Sequence, residues 1–200
     1  QEAKNAGVDG SLLVTPYYNK PTQKGLYEHY KAINNAVDIP QILYNVPSRT
    51  CCDLENDTVI SLSKLSNIIG IKDATGELDR ISFLKDKVKN DFIFISGDDL
   101  SFLEYMERGG CGVISVTANV VPDLMHNICH SILNGDIEKS KTINNKLSRL
   151  HEVMFIDSNP IPVKWLLNYL GLIRKGIRLP LVGLDKKYQT NLIEAFESIK

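Results

Sequence analysis

The chain has 200 residues, 43% of them apolar, and its 23 Lys+Arg and 24 Asp+Glu leave a formal net charge of −1. That balance provides no global basic field to recruit nucleic acid or an anionic membrane, and no apolar run approaches the length of a membrane span. The size suits one large domain or part of a larger one.

The opening residues 1–7, Gln-Glu-Ala-Lys-Asn-Ala-Gly, read as the last turns of a helix already under way, with Gly7 near its C-cap. The chain is therefore expected to begin mid-domain. No charged-then-apolar leader opens it, so secretion is not indicated. Five apolar runs follow that read as strands, at 11–15, 41–46, 68–72, 92–96 and 113–117. Their starts fall roughly 20 to 30 residues apart, the length of a βα unit. Helical spacing fills the gaps at 24–36, 54–65, 78–88 and 100–108. After Thr117 helical patterns dominate, at 122–133, 137–155, 162–170 and 186–199. The expected fold class is α/β, a parallel sheet wrapped by helices with a C-terminal helical extension. Two architectures fit: an open doubly wound sheet, or the later part of an eight-stranded barrel, which typically takes about 250 residues. In both, ligands bind at the carboxyl ends of the strands.

Those ends carry a distinctive set of side chains. The third run, Asn67-Ile68-Ile69-Gly70-Ile71-Lys72, is almost wholly apolar until its lysine. Burial beside an apolar wall disfavours the ammonium and frees the amine to attack a carbonyl as a Schiff-base nucleophile. Tyr44 stands near the end of the second run and can move a proton, and Arg49 just beyond it can hold a carboxylate as a fork. Each has a plainer reading. Tyr44 could pack in a core, Tyr17 and Tyr18 could be interface aromatics, and Arg49 could be a solvated loop charge. Asp98 and Asp99 read as helix N-caps. His126 and His130 lie four apart, but no Glu follows His126 and no third ligand is evident, so a surface or core pair is expected and no metal. His29 and His151 show no partner. Cys51, Cys52, Cys111 and Cys129 lack metal-ligand spacing and read as buried, reduced thiols of a cytosolic protein.

Six segments, TPYYN at 15–19, YNVPSRT at 44–50, GIKDATG at 70–76, SGDD at 96–99, GVISVTAN at 112–119 and NPIPVKW at 159–165, together resemble the dihydrodipicolinate synthase family. They occur in that family's order and cover essentially the whole chain. The family belongs to the pyruvate-dependent class I aldolases and lyases, which include N-acetylneuraminate lyase. The resemblance implies a (β/α)8 barrel, here its fourth to eighth strands over 1–120, with the last barrel helix and a C-terminal helical region over 121–200. It implies that Lys72 forms the Schiff base with pyruvate, that Tyr44 relays protons, and that Tyr18 completes the relay in a neighbouring subunit's site. It further implies that Arg49 holds the carboxylate of L-aspartate 4-semialdehyde, that Gly97 and Ile114 line the pyruvate pocket mainly through backbone, and that Tyr17 lies beside a lysine-inhibitor site. The implied product is 4-hydroxy-tetrahydrodipicolinate, on the diaminopimelate route to lysine, made by a cytoplasmic homotetramer without cofactor or metal.

One departure from the family pattern stands out. The Gly-Thr-Thr-Gly-Glu segment of the family's N-terminal third, which anchors the pyruvate carboxylate and supplies a relay threonine, has no match here. A barrel remnant of this kind is expected to leave unpaired sheet edges and exposed apolar faces. Two alternatives therefore stand beside the synthase reading: another pyruvate-dependent class I aldolase, and an inactive truncated fragment without the threonine pair.

Overall fold

Strand and helix alternate from the start of the chain, as the apolar spacing predicts. The computed structural model describes residues 1–200. The short α1 (Glu2–Asn5) leads to β1 (Ser11–Val14), α2 (Gln23–Ala36), β2 (Gln41–Asn45), α3 (Pro47–Thr50), α4 (Asn56–Leu62), β3 (Ile68–Asp73), α5 (Leu78–Leu84), β4 (Ile93–Ser96), α6 (Phe102–Glu107) and β5 (Gly112–Val113). The chain divides into two compact units, Gln1–Val113 and Ile114–Lys200.

In the first unit every neighbouring strand pair is parallel and the order is β1-β2-β3-β4-β5. A doubly wound sheet reverses its strand order at a switch point. This one never does, so the doubly wound alternative is excluded. Right-handed crossovers in a monotonic sheet place all connecting helices on one face. The core agrees. Leu43, Ile71 and Phe94 occupy one rung of the sheet and pack in a single cluster with Leu26 and Tyr30 of α2, Val59 and Leu62 of α4, Ile81 and Leu84 of α5 and Tyr105 of α6. Burying each large aliphatic there contributes about 1.5–3 kcal/mol.

The next rung, Val14–Tyr44–Lys72–Ile95, points to the opposite face, because side chains alternate along a strand. That face is most open at β1. Leu12 and Val14 there are 44% and 38% exposed.

Local chemistry trims several elements relative to the sequence expectation. The fifth strand stops at Val113 rather than running to Thr117. Beyond it the Ser115 hydroxyl accepts from Ala118 N, and the Asn119 amide donates to the Val116 carbonyl, within a 3₁₀ turn at Thr117–Asn119. Such side-chain bonds compete with a strand ladder. Helix α4 starts at Asn56, not Leu54, because Leu54 N donates to Asn45 Oδ1 at 3.0 Å and is held to the end of β2. The four-residue α3 is not foreseen by the sequence reading; Pro47 sits at its first turn and Cys51 closes it at φ +52°.

The second unit is helical, as expected. It comprises α7 (Pro122–Leu133), α8 (Ile137–Val153), α9 (Ile161–Tyr169) and α10 (Lys186–Glu197). Helix α7 packs on α8, α8 on α10, and α10 on α9. Its buried residues include Ile128, Leu147, Leu150 and Leu192. His151 has a partner that the sequence does not reveal: its Nδ1 lies 2.8 Å from the Thr117 hydroxyl, with both residues buried. No helix of the chain is long and apolar enough to cross a membrane.

Candidate active site

The site grows from one rung of the sheet. Tyr44 and Lys72 are direct partners across β2 and β3, at the carboxyl ends of both strands. Lys72 is only 7% exposed. Its Nζ stands 4.0 Å from the centroid of the Tyr44 ring, within reach of the ring's negative face. Burial pushes the Lys72 amine below the ordinary lysine range, and the negative charge of the buried Asp99 partly opposes that shift. Burial likewise pushes the Tyr44 phenol up, with the nearby Arg49 cation pulling the other way. The two shifts favour the same uncharged pair, an amine facing a phenol.

Gly97 completes the wall around the lysine. A Cβ at that position would stand 2.8 Å from Lys72 Cε and 2.7 Å from Ala74 Cβ. Its amide donates to the Asp73 carbonyl at 2.7 Å, continuing the sheet beyond β4. Gly97 thus serves by its missing side chain as well as by its backbone.

Arg49, on α3, lines an open cavity of about 510 Å³ together with Tyr17, Tyr44, Leu12, Val14, Val46 and Thr50. The turn that carries Arg49 is fixed by a residue that sequence reasoning passed over. Thr15 is fully buried, donates its backbone N–H to the Tyr44 carbonyl at 3.0 Å, and places its hydroxyl 3.3 Å from that of Thr50. The Thr50 hydroxyl in turn donates to the Cys52 carbonyl at 2.9 Å. Two buried hydroxyls at the end of β1 and in α3 were the available signal.

The remaining predicted residues are placed differently. Tyr18 is 94% exposed and adopts φ +65°, an uncommon conformation for a bulky residue. It does not join Lys72 and Tyr44 within this chain. Tyr17 is 67% exposed at the rim of the Arg49 cavity. Ile114 lies at the start of the second unit and is 47% exposed. Asp98 acts as a local cap, its Oδ2 accepting from Ser101 N at 2.9 Å. His126 and His130 stack on the exposed side of α7, and no group of three or more His, Cys, Asp or Glu side chains is gathered to hold a metal ion. The cysteines are free thiols, but the expected burial holds only for Cys52: Cys51 and Cys111 are exposed and Cys129 is half-buried.

Fold and site thus define an α/β protein with a lysine-centred site at the strand ends of a singly wound parallel sheet. The chain belongs to the Dihydrodipicolinate synthetase family, whose profile matches residues 1–199. It is 55% identical over 193 residues to the 4-hydroxy-tetrahydrodipicolinate synthase of Nitrosospira multiformis, covering 96% of this chain and 64% of that protein. It is 57% identical over 186 residues to the synthase of Pseudomonas putida, covering 93% and 64% respectively. The chain therefore spans just under two thirds of the length of these relatives. Among solved structures, the dihydrodipicolinate synthase of Acinetobacter baumannii, complexed with pyruvate, superposes with a TM-score of 0.95 at 51% identity, over 98% of this chain and 68% of that one. The enzyme of Cyanidioschyzon merolae, with lysine bound, gives 0.95 at 34% identity over 99% and 67%.

Proposed function

We propose that this chain carries the Schiff-base machinery of a 4-hydroxy-tetrahydrodipicolinate synthase, built on the later strands of a (β/α)8 barrel. The observation that carries the reading is the buried Lys72 amine, 4.0 Å from the Tyr44 ring centre at the mouth of the sheet. The neutral Lys72 amine attacks the ketone carbon of pyruvate and expels water, giving an imine. Loss of a methyl proton converts the imine to an enamine, with Tyr44 as the group that carries protons to and from the reacting atoms. The enamine carbon then bonds to the aldehyde carbon of L-aspartate 4-semialdehyde, and the aldehyde oxygen takes up a proton. The substrate's own amine next attacks the imine carbon, closes the ring and releases Lys72 as a free amine. The imine itself is the electron sink, so these steps call on no metal. Arg49 offers the second substrate's carboxylate a planar fork beside Tyr44. That fork favours the semialdehyde over the sugar-derived acceptors of other pyruvate aldolases. Tyr17, exposed at the rim of the Arg49 cavity, and the exposed Tyr18 that follows it suit contacts between copies in a homotetramer.

The test is borohydride reduction in the presence of pyruvate, read by intact and peptide mass, with Lys72→Ala as control. An adduct on Lys72 alone supports the reading; a folded chain that gives none overturns it. A second reading, an inactive chain, draws on the exposure of Leu12 and Val14 on β1. An adduct that added semialdehyde fails to discharge would favour it.

A further inference from the structure

We infer that Arg80 is a positioning residue for the Lys72–Tyr44 pair, acting from the reverse side of the sheet through the two strand ends that carry it; the inference rests on reading Lys72 as the Schiff-base lysine. The rung beyond Tyr44–Lys72 is Asn45–Asp73. Alternation turns those side chains toward the helices. There Arg80 of α5, 8% exposed, joins them in one circuit. Its Nε donates to Asp73 Oδ2 at 3.1 Å, its Nη1 to Asp53 Oδ2 at 3.1 Å and its Nη2 to the Leu54 carbonyl at 2.6 Å. Asp53 Oδ1 accepts from Asn45 Nδ2 at 2.7 Å, and Asn45 Oδ1 accepts from Leu54 N at 3.0 Å. Asp73 Oδ1 accepts from Thr75 N at 2.9 Å, which fixes the loop after Lys72. One guanidinium thus locks the residue after Lys72 to the residue after Tyr44. A lysine could not do this, since a single ammonium lacks the planar fork.

A buried ion network of this size also stabilises the fold, so loss of stability alone says nothing about positioning. The amine of Lys72 separates the two roles. The charged or titratable groups that act on it are Tyr44 from β2 and Asp99 from the segment after β4, with Asp73 adjacent in β3. Without the clamp the strand ends admit water, and in Arg80→Gln the guanidinium charge behind them is gone. Both changes favour the ammonium.

The experiment labels the intact 200-residue chain with trinitrobenzenesulfonate across a pH series and reads Lys72 by peptide mass. Borohydride trapping of pyruvate is run beside it, and both are referred to folded protein measured by circular dichroism. Arg80→Gln is expected to move the Lys72 labelling midpoint upward by about one pH unit and to cut trapping at neutral pH by about tenfold. Arg80→Lys, which keeps the charge but not the fork, is expected to fall short of rescue. Asp53→Asn, which leaves the bonds to Asp73 and Leu54 in place, is expected to give a smaller shift in the same direction, and it decides the matter if Arg80→Gln does not fold. Unchanged midpoints and unchanged trapping per folded molecule, with only the melting temperature lowered, overturn the inference. If the unsubstituted chain traps no pyruvate but the labelling midpoint still moves in the variants, the clamp stands and the Schiff-base reading falls.

Discussion

Gly97 and Lys72 approach so closely that a single methyl between them would stand 2.8 Å from the lysine Cε. The lysine side chain therefore takes its course because residue 97 has none. Gly97→Ala must displace either the flexible Lys72 stem or the loop after β4. Misplacing a reacting group by about 1 Å can cost on the order of 10²-fold in rate. Trapping of pyruvate by Gly97→Ala is expected to fall by about 10- to 100-fold with an unchanged far-ultraviolet spectrum. A wild-type rate would mean that the Lys72 amine reaches its reactive position by another path.

The depressed Lys72 amine also predicts a stability signature. Its folded-state pKa lies below the ordinary lysine value because burial disfavours the ammonium. Between those two values the unfolded chain binds more protons than the folded one, so stability climbs as pH rises through that window. Below the window the desolvation penalty is present in full. Lys72→Met removes it, and is expected to be more stable than the unsubstituted chain at pH 7 by on the order of 1 kcal/mol. The gain should shrink toward pH 10. Urea unfolding of both chains at the two pH values checks this; a gain that does not narrow would assign it to packing.

Much of this arrangement was legible in the sequence. The strand ends of β2 and β3, and with them Tyr44 and Lys72, follow from apolar runs bounded by turn signals. Their pairing follows once the strands are parallel neighbours. What the sequence hides is chemistry that crosses elements. Arg80 reads as one more cation on an amphipathic helix, yet it bonds both to Asp73 and to Asp53, the latter 27 positions away in sequence. Thr15 reads as the last residue of a strand, and its hydroxyl meets Thr50, 35 positions away. Residues 114–117 have the composition of a strand but lose to local side-chain bonds from Ser115 and Asn119. Tyr18, 94% exposed, is the reverse case: the chain alone gives it no role at the site.

Tyr44→Phe keeps the ring under the Lys72 amine and removes only the hydroxyl. The contact at 4.0 Å is with the ring, so burial and placement of Lys72 are expected to persist. Burial holds the phenol protonated well above neutral pH, which leaves it able to donate and receive a proton through its hydroxyl. Acid–base groups of this kind typically contribute about 10²–10⁴-fold. The rate of imine formation, followed by quenching with borohydride at timed intervals, should fall within that range while the final extent of trapping is retained. If extent and rate fall together, Tyr44 acts by packing and not by proton transfer.

Arg49 predicts a division between the two substrates. It lines the same open cavity as Tyr44, and its charge restrains the rise in the Tyr44 pKa. Arg49→Lys keeps a positive charge near Tyr44 and loses the planar fork that suits a carboxylate. Trapping of pyruvate alone is expected to stay within about twofold of the unsubstituted chain, since a conserved charge should leave the Tyr44 pKa nearly unmoved. Discharge of the pyruvate adduct by added L-aspartate 4-semialdehyde is expected to slow by about 10²-fold, the scale of one lost charge-assisted bidentate contact. Both quantities come from one experiment, in which the semialdehyde is added before borohydride and the surviving adduct on Lys72 is weighed. Equal loss in the two halves would place Arg49 in support of Tyr44 and leave the second substrate to be held elsewhere.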